Sequence, residues 1–242
     1  MKMRKLLPAL LGFGLFAASC NFINRKEVKG NGAQKEEARN VSVTDKIKLE
    51  GSIDLDLIPG TTPSVKVIAD ENLLQYIKTE RDGDYLLIKV DDEYNLRSSH
   101  PIKVEVTTDK LHKLDIAGSG DVKGKGKFSG SDALDVSMAG DSNVDLEVNT
   151  PSVDINLAGS GNVDMKGETK DLKIDIAGSG NFKGLDLMAE SAKISVAGSG
   201  DVEVYADMNL DVSIMGSGDV SYKGKATIKS SIAGSGSVKK VD

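Results

Sequence analysis

The residues best suited to do chemistry are acidic and amide side chains that follow a recurring glycine-rich phrase. Forms of AGSG followed by Asp or Asn return at spacings of 18 to 22 residues from Ala117 onward. Gly/Asp repeats of about nine residues bind Ca²⁺ through carboxylates of successive turns. Here the period is doubled and half of the column is Asn, so we favour a structural turn and predict no metal site. The like charges of Asp201 and Asp219 leave an incidental cation open.

Paired carboxylates could instead serve as the general acid and base of a polysaccharide hydrolase or lyase. The repeat region holds few aromatic side chains to stack on sugars, and neither His100 nor His112 lies in a motif with a nucleophile. A phosphate-binding loop, zinc-ligand spacing and a nucleophile elbow are all missing from the sequence. We predict no catalytic residue and no cofactor, and keep a carbohydrate-active β-helix enzyme as the alternative. The candidate carboxylates, all at regular outward positions, are Asp115, Asp135, Asp154, Asp175 and Asp211.

The N-terminus carries export signals. A basic start, MKMRK, precedes the apolar stretch LLPALLGFGLFAAS, as in a secretory signal. Small residues then lead directly to Cys20, the pattern of a bacterial lipobox in which the cysteine receives lipid. We predict a lipoprotein signal peptide over residues 1–19, lipid attachment at Cys20 and a polar tether over residues 20–29. An ordinary signal peptide with one unpaired cysteine is the alternative.

The composition of the chain narrows the functional classes that remain. The formal net charge of −6 argues against a nucleic-acid partner, because phosphate binding needs a concentrated basic face. Beyond the N-terminus, no stretch is long and apolar enough to span a bilayer as a helix. The chain has 26 Gly and no Trp, which indicates many turns and a core of aliphatic side chains.

Short strands must position these side chains. Between Val41 and Val106 apolar and polar residues alternate, which is typical of half-buried strands. Within this part, DENLLQYI predicts a short helical turn with Asp70 as its N-cap. From Ala117 a unit of about nineteen residues repeats, with apolar columns directly before the phrase and just after its Asp or Asn. Such a unit cannot enclose a core alone, but stacked copies can.

We therefore predict an all-β fold, a right-handed parallel β-helix (solenoid) with about 18–22 residues per coil, forming one body over residues 30–242. The coils are expected to be less regular over residues 30–110 and regular over residues 111–242. The second copy, AGDSNV, has the longest spacing and predicts a bulge or small insertion near Gly124 to Ser131.

The repeated phrase predicts a stacked corner. Glycines accept positive φ and allow close backbone approach, and short polar side chains can satisfy turn amides or bond to the next coil. The predicted turn ladder comprises Gly118, Gly120, Asp121, Gly159, Gly161, Asn162, Gly178, Gly180, Asn181, Gly198, Gly200, Asp201, Gly216, Gly218 and Asp219.

With these columns aligned, the chain resembles bacterial exported proteins that carry the putative auto-transporter adhesin, head GIN domain. The phrases AGSGD and AGSGN carry the resemblance, together with the lead-in KIKLEGSIDLDLIPGTTPSVKVIADENLLQYIKTERDGDYLLIKV. It covers nearly all of residues 30–242 and implies a right-handed parallel β-helical body and a role in adhesion. It implies no catalytic residue.

We predict a non-catalytic lipoprotein of the cell envelope, in the outer membrane, that acts as an adhesin or binding scaffold. Its expected partners are the membrane, through the lipid anchor, and a protein or glycan at the cell surface. A structural envelope component is a further alternative. Lys239 and Lys240 predict a blunted end of the solenoid, and the oligomeric state is left open.

Overall fold

The structure, a computed structural model, describes residues 25–242. The predicted signal peptide (residues 1–19) and Cys20 lie outside the described residues, as does the first part of the tether. The tether predicted over residues 20–29 was drawn too long, because Lys26–Lys29 form a strand that pairs with Tyr94–Arg97. Residues 25–242 form a single β-solenoid body of about seven turns, with one short 3-10 helix. In this part of the chain, no helix is long and apolar enough to cross a membrane.

The first part of the body contains nine strands and the 3-10 helix, in which Leu73 and Leu74 are buried. These elements are β1 (Lys26–Lys29), β2 (Gln34–Arg39), β3 (Lys46–Gly51), β4 (Asp54–Pro59), β5 (Ser64–Asp70), the 3-10 helix (Glu71–Tyr76), β6 (Ile77–Asp82), β7 (Tyr85–Val90), β8 (Tyr94–Arg97) and β9 (Lys103–Thr108).

The second part of the body contains the repeats and is regular. Its strands are β10 (Lys113–Gly118), β11 (Val122–Ser129), β12 (Leu134–Gly140), β13 (Asn143–Asn149), β14 (Ser152–Gly159), β15 (Asn162–Gly178), β16 (Asn181–Gly198), β17 (Val202–Gly216), β18 (Asp219–Lys223), β19 (Thr227–Gly234) and β20 (Ser237–Lys240).

Two continuous parallel ladders join the coils. Face A consists of β3, β10, β12 and β14, then the second halves of β15, β16 and β17, and finally β19. Face B consists of β4, β11 and β13, then the first halves of β15, β16 and β17, and finally β18 and β20. In each coil the repeated phrase is the corner at which the chain passes from face A to face B. The predicted parallel β-solenoid is confirmed.

The coil order at the N-terminal end differs from the chain order. Beyond the first strand of each face, β7 pairs with β3 on the side away from β10, and β9 pairs with β4 on the side away from β11. The segment that follows β4 therefore folds back beneath it before the chain returns to form β10. Three pairs of strands there are antiparallel: β2 with β5, β5 with β9, and β6 with β7. Gly83, with φ +58°, permits the tight hairpin between β6 and β7.

The core is a stack of aliphatic columns. The residue directly before each phrase points inward and is at most 3% exposed in every coil from Leu49 to Ile214. Burial of such a side chain contributes about 1.5–3 kcal/mol. Since each column is shared by neighbouring coils, no single coil has a core of its own.

The long spacing between the first and second copies of the phrase comes from face B. The register between β11 and β13 slips between Lys123 and Lys127, where four steps along β11 match two steps from Asp145 to Glu147. This extra length confirms the bulge predicted near Gly124 to Ser131. The corner itself keeps its register, because Gly118 still pairs with Gly140.

Candidate functional site

The first glycine of each phrase packs against the same residue of the preceding coil. Gly159 has φ +134°, and a Cβ there would overlap the carbonyl oxygen of Gly140. The second glycine is similar, since a Cβ on Gly180 would overlap the carbonyl oxygen of Gly161. Both columns therefore let the coils approach closely at the corner. The first column comprises Gly51, Gly118, Gly140, Gly159, Gly178, Gly198, Gly216 and Gly234.

The Asp/Asn column forms a continuous ladder of hydrogen bonds. Asn162 Nδ2 donates to Asn143 Oδ1, and Asn181 Nδ2 donates to Asn162 Oδ1, each at 2.8 Å. Where the next coil holds Asp, its backbone amide donates instead, as from Asp219 N to Asp201 Oδ1 at 2.9 Å. In each of these Asp and Asn side chains, one oxygen therefore accepts a hydrogen bond from the next coil.

The ladder extends one coil further back than the sequence predicted. In EGSID, Gly51 pairs with Gly118, and Asp54 Oδ1 accepts the amide of Asp121 at 3.1 Å. Ser52 Oγ lies 2.9 Å from Ser119 Oγ. This rung was missed because Ile53 replaces the second glycine and because 67 residues separate it from the next copy. The EGSID phrase was the signal that could have found it.

Ser142 replaces the second glycine in one coil. Its side chain is fully buried, and its Oγ donates to the carbonyl oxygen of Gly118 at 3.2 Å. The hydroxyl therefore finds a backbone partner at a position where the other AGSG coils have glycine. Among residues 25–242, no cluster of three or more His, Cys, Asp or Glu side chains could hold a metal ion.

Two neighbouring columns of outward side chains on face A line a groove, which we call the face A groove. Its volume is about 570 Å³. Five coil spacings of ~4.8 Å make it about 24 Å long. The alanine column is Ala117, Ala139, Ala158, Ala177 and Ala197, and the polar column is Asp115, Ser137, Asn156, Asp175, Ser195 and Ser213.

The two ends of the face A groove differ. Met215 takes the alanine position in the last of these coils and is 63% exposed. Lys48 lies at the other end, where its Nζ is 2.7 Å from Glu50 Oε1. The hydrogen bond to Glu50 raises the pKa of Lys48, so the ammonium stays charged at neutral pH. The groove therefore runs from a charged end to an apolar end.

The face A groove suits a linear ligand. Alanine methyl groups offer apolar contact, and the neighbouring Ser, Asn and Asp side chains offer hydrogen bonds along the polar column. Its volume lies within the usual range for ligand sites. The groove was not predicted from the sequence, because each alanine was interpreted only as part of a turn. The signal was the alternation, which places five alanines at outward positions on one face.

The candidate catalytic carboxylates do not meet in the face A groove. Asp115 and Asp175 both line it, but three coil spacings put them about 14 Å apart, beyond the separation of glycosidase pairs. Asp135 and Asp154 lie on adjacent coils in another outward column, two residues before the polar column of the groove. Asp135 binds Lys113 and Asp154 binds Lys173, each at 3.1 Å. Asp211 lies in that column as well, in register with Lys229.

Lysines of this column are anchored by carboxylates. The hydrogen bonds that Lys173 donates to Asp175 and Asp154 raise the pKa of Lys173, and the hydrogen bond that Lys113 donates to Asp135 raises the pKa of Lys113. Bridges between adjacent coils, such as Lys113 to Asp135, thus recur on face A. Together with the bridge from Lys173 to Asp175 within one coil, they pair the carboxylates of Asp135, Asp154 and Asp175 with lysine ammonium groups.

Both histidines bind carboxylates of the N-terminal part. His112 Nδ1 lies 2.7 Å from Asp45 Oδ2, and His100 Nδ1 lies 3.0 Å from Asp70 Oδ1. Asp70 is fully buried, and its Oδ2 accepts the amide of Ser99 at 2.8 Å. It was predicted to cap the 3-10 helix, but its carboxylate instead holds the loop before β9. The hydrogen bond from His100, followed by that from Ser99, lowers the pKa of Asp70.

Comparisons with known proteins agree with this architecture. A family model described as "putative auto-transporter adhesin, head GIN domain" matches residues 45–226. No curated protein matches the chain. A solved putative adhesin from Bacteroides fragilis is 22% identical, with a TM-score of 0.83 over 88% of this chain and 100% of its own. A putative lipid binding protein from Parabacteroides distasonis is 29% identical, with a TM-score of 0.71 over 90% of this chain and 100% of its own.

Proposed function

Because the chain belongs to the putative auto-transporter adhesin, head GIN domain family, we propose that it is a non-catalytic, adhesin-like binding protein of the cell envelope. The lipobox-like sequence supports lipid attachment at Cys20 and anchoring in the outer membrane. The body would then present its faces to a protein or glycan at the cell surface, beyond the part of the tether that precedes β1 (Lys26–Lys29).

The observation that carries this proposal is the face A groove. Six successive coils each present a polar side chain beside an alanine, or beside Met215 in the last coil, at ~4.8 Å intervals. A partner with an extended, repeating backbone, such as a polypeptide segment or a glycan strand, could contact several coils at once. Since the backbone ladder fixes the spacing, little conformational entropy is lost on the protein side when the partner binds.

A charge placed in the groove tests this role. We expect Ala158→Glu to weaken retention of the protein on its surface ligand by tenfold or more, because a carboxylate would be desolvated on the groove floor. Asn149→Glu is the matched control, since it adds the same charge at an exposed position outside the groove. Beads coated with each variant would be tested on matrix proteins and on a glycan array. Equal retention of the two variants would reject the groove as the binding site.

Anchoring and exposure need a separate experiment. Mass spectrometry of the N-terminal peptide from native membranes should show a lipid-modified Cys20, and Cys20→Ser should release the protein from the membrane fraction. Protease added to intact cells should then digest the body if it faces outward. Full protection from protease would contradict an adhesive role.

A second candidate ligand for the same groove is a lipid. The alanine floor and the apolar end at Met215 favour a hydrocarbon chain, and a 29% identical solved structure is described as a putative lipid binding protein. Organic extraction of protein purified from native membranes, followed by mass spectrometry, would detect a bound lipid. If the groove holds it, Ala158→Glu should lose the lipid and Asn149→Glu should keep it.

A further inference from the structure

The last face A strand, β19, exposes residues that belong to core columns. Ile228 and Ile232 are in register with the buried Leu210 and Ile214 of the preceding coil, yet they are 40% and 41% exposed. Every residue of β19 is exposed, and no strand among residues 25–242 pairs with its outer edge. The edge therefore offers both backbone groups and apolar surface to another strand.

The last strand of face B, β20, differs from β19 because an exposed lysine stands at one of its core positions. Lys240 of β20 is exposed in register with the buried Tyr222, so a charge stands at a core position there. Lys239 is exposed beside it. Inward charges of this kind oppose the addition of a strand. A whole second solenoid would have to cover both edges and bring the lysines of two copies together, so the pattern favours one strand on β19 alone.

The lysines near β19 favour an acidic partner. Residues 223–242 contain five lysines (Lys223, Lys225, Lys229, Lys239 and Lys240) and one acidic side chain, although the whole chain has a formal net charge of −6. In the column of Lys229, two lysines bind Asp of an adjacent coil, since Lys113 binds Asp135 and Lys173 binds Asp154. A strand added to β19 would place one of its own side chains opposite Lys229, the position that Asp135 holds opposite Lys113.

We propose that β19 is a strand-addition site for an extended acidic segment of a partner protein. The segment supplies apolar side chains over Ile228 and Ile232 and a carboxylate opposite Lys229. Its backbone continues the parallel ladder of face A, which gives affinity, while the alternating side chains give specificity. This surface is separate from the face A groove, so the two proposals can fail independently.

A synthetic peptide tests the proposal. The sequence DALDVSMAGD, residues 132–141, carries three Asp and already lies over a lysine-bearing strand within the body. In that register its Leu covers Ile228, its central Asp faces Lys229 and its Met covers Ile232. We expect saturable binding of this peptide, capped at both ends, to the full chain by fluorescence anisotropy. A scrambled peptide of the same composition should not bind.

Substitutions in β19 test whether the peptide binds at this strand. Ile228→Lys with Ile232→Lys should abolish peptide binding, and Lys229→Glu should weaken it about threefold. A peptide with its central Asp changed to Lys should restore binding to Lys229→Glu. Circular dichroism would show that each variant keeps its fold, as expected for exposed positions. Absence of saturable binding, or binding that the isoleucine variants leave unchanged, would overturn the proposal.

Two further measurements separate other occupants of this edge. Sedimentation velocity would reveal a dimer that dissociates in the isoleucine variant, which would assign the edge to a second copy. Co-sedimentation with phosphatidylglycerol vesicles, lost in the same variant without peptide binding, would assign it to an anionic lipid surface. Either result overturns the proposed acidic strand, whereas a monomer that binds the peptide supports it.

Discussion

Gly159 lies directly over Gly140 of the preceding coil, and the carbonyl oxygen of Gly140 occupies the space that a Cβ at position 159 would need. Replacing Gly159 with Ala therefore adds a backbone clash to the strain of φ +134°. We expect Gly159→Ala to lower the free energy of unfolding by about 2–4 kcal/mol. Urea denaturation followed by circular dichroism would measure it.

Gly32 supplies the control for that prediction. It also has positive φ, +75°, but a Cβ there meets no atom within 4 Å. Gly32→Ala therefore carries only the backbone strain, about 1 kcal/mol. If both variants lost the same stability, close approach of the coils would not be the reason for the glycine columns.

The amide ladder is expected to stabilise the corner. Asn162 donates to Asn143 and accepts from Asn181, so Asn162→Ala breaks two side-chain hydrogen bonds. We expect a loss of about 1–2 kcal/mol in the free energy of unfolding. Asn149→Ala, at an exposed position, is the control and should change stability by less than about 0.5 kcal/mol. Thermal denaturation of the parent, Asn162→Ala and Asn149→Ala would measure the difference. Equal midpoints for all three would show that the ladder adds no stability.

The repeat made the regular coils predictable, because each apolar column and each corner recurs in the sequence. The N-terminal end was not predictable in the same way. The pairing of Gly51 with Gly118 joins segments 67 residues apart, and the antiparallel strands around Gly83 interrupt the period. The face A groove was also missed, since the outward side of Ala158 becomes a site only when neighbouring coils are in register.

Calcium removal should leave the solenoid unchanged. In the ladder, Asp201 Oδ1 and Asp219 Oδ1 each accept a backbone amide of the next coil, so these oxygens already have partners. We expect the thermal midpoint of the purified protein to be the same with a chelator and with millimolar Ca²⁺. A large rise with Ca²⁺, absent in Asp201→Asn, would instead show that the column binds the ion and would correct our assignment of a structural turn.

Acid should weaken the N-terminal part through Asp70. This carboxylate is fully buried, and its bonds with His100 and Ser99 lower its pKa below 3.8. A carboxyl whose pKa is lower in the folded state stabilises the fold above its unfolded pKa, and this contribution is lost as the pH falls through the folded value. Asp70→Asn should therefore be less stable than the parent at pH 6, and the difference should shrink below about pH 4. Chemical denaturation at both pH values would measure it, with Asp84→Asn, at an exposed position, as the control. A difference that stayed constant with pH would mean that the carboxylate charge is not what holds the loop before β9.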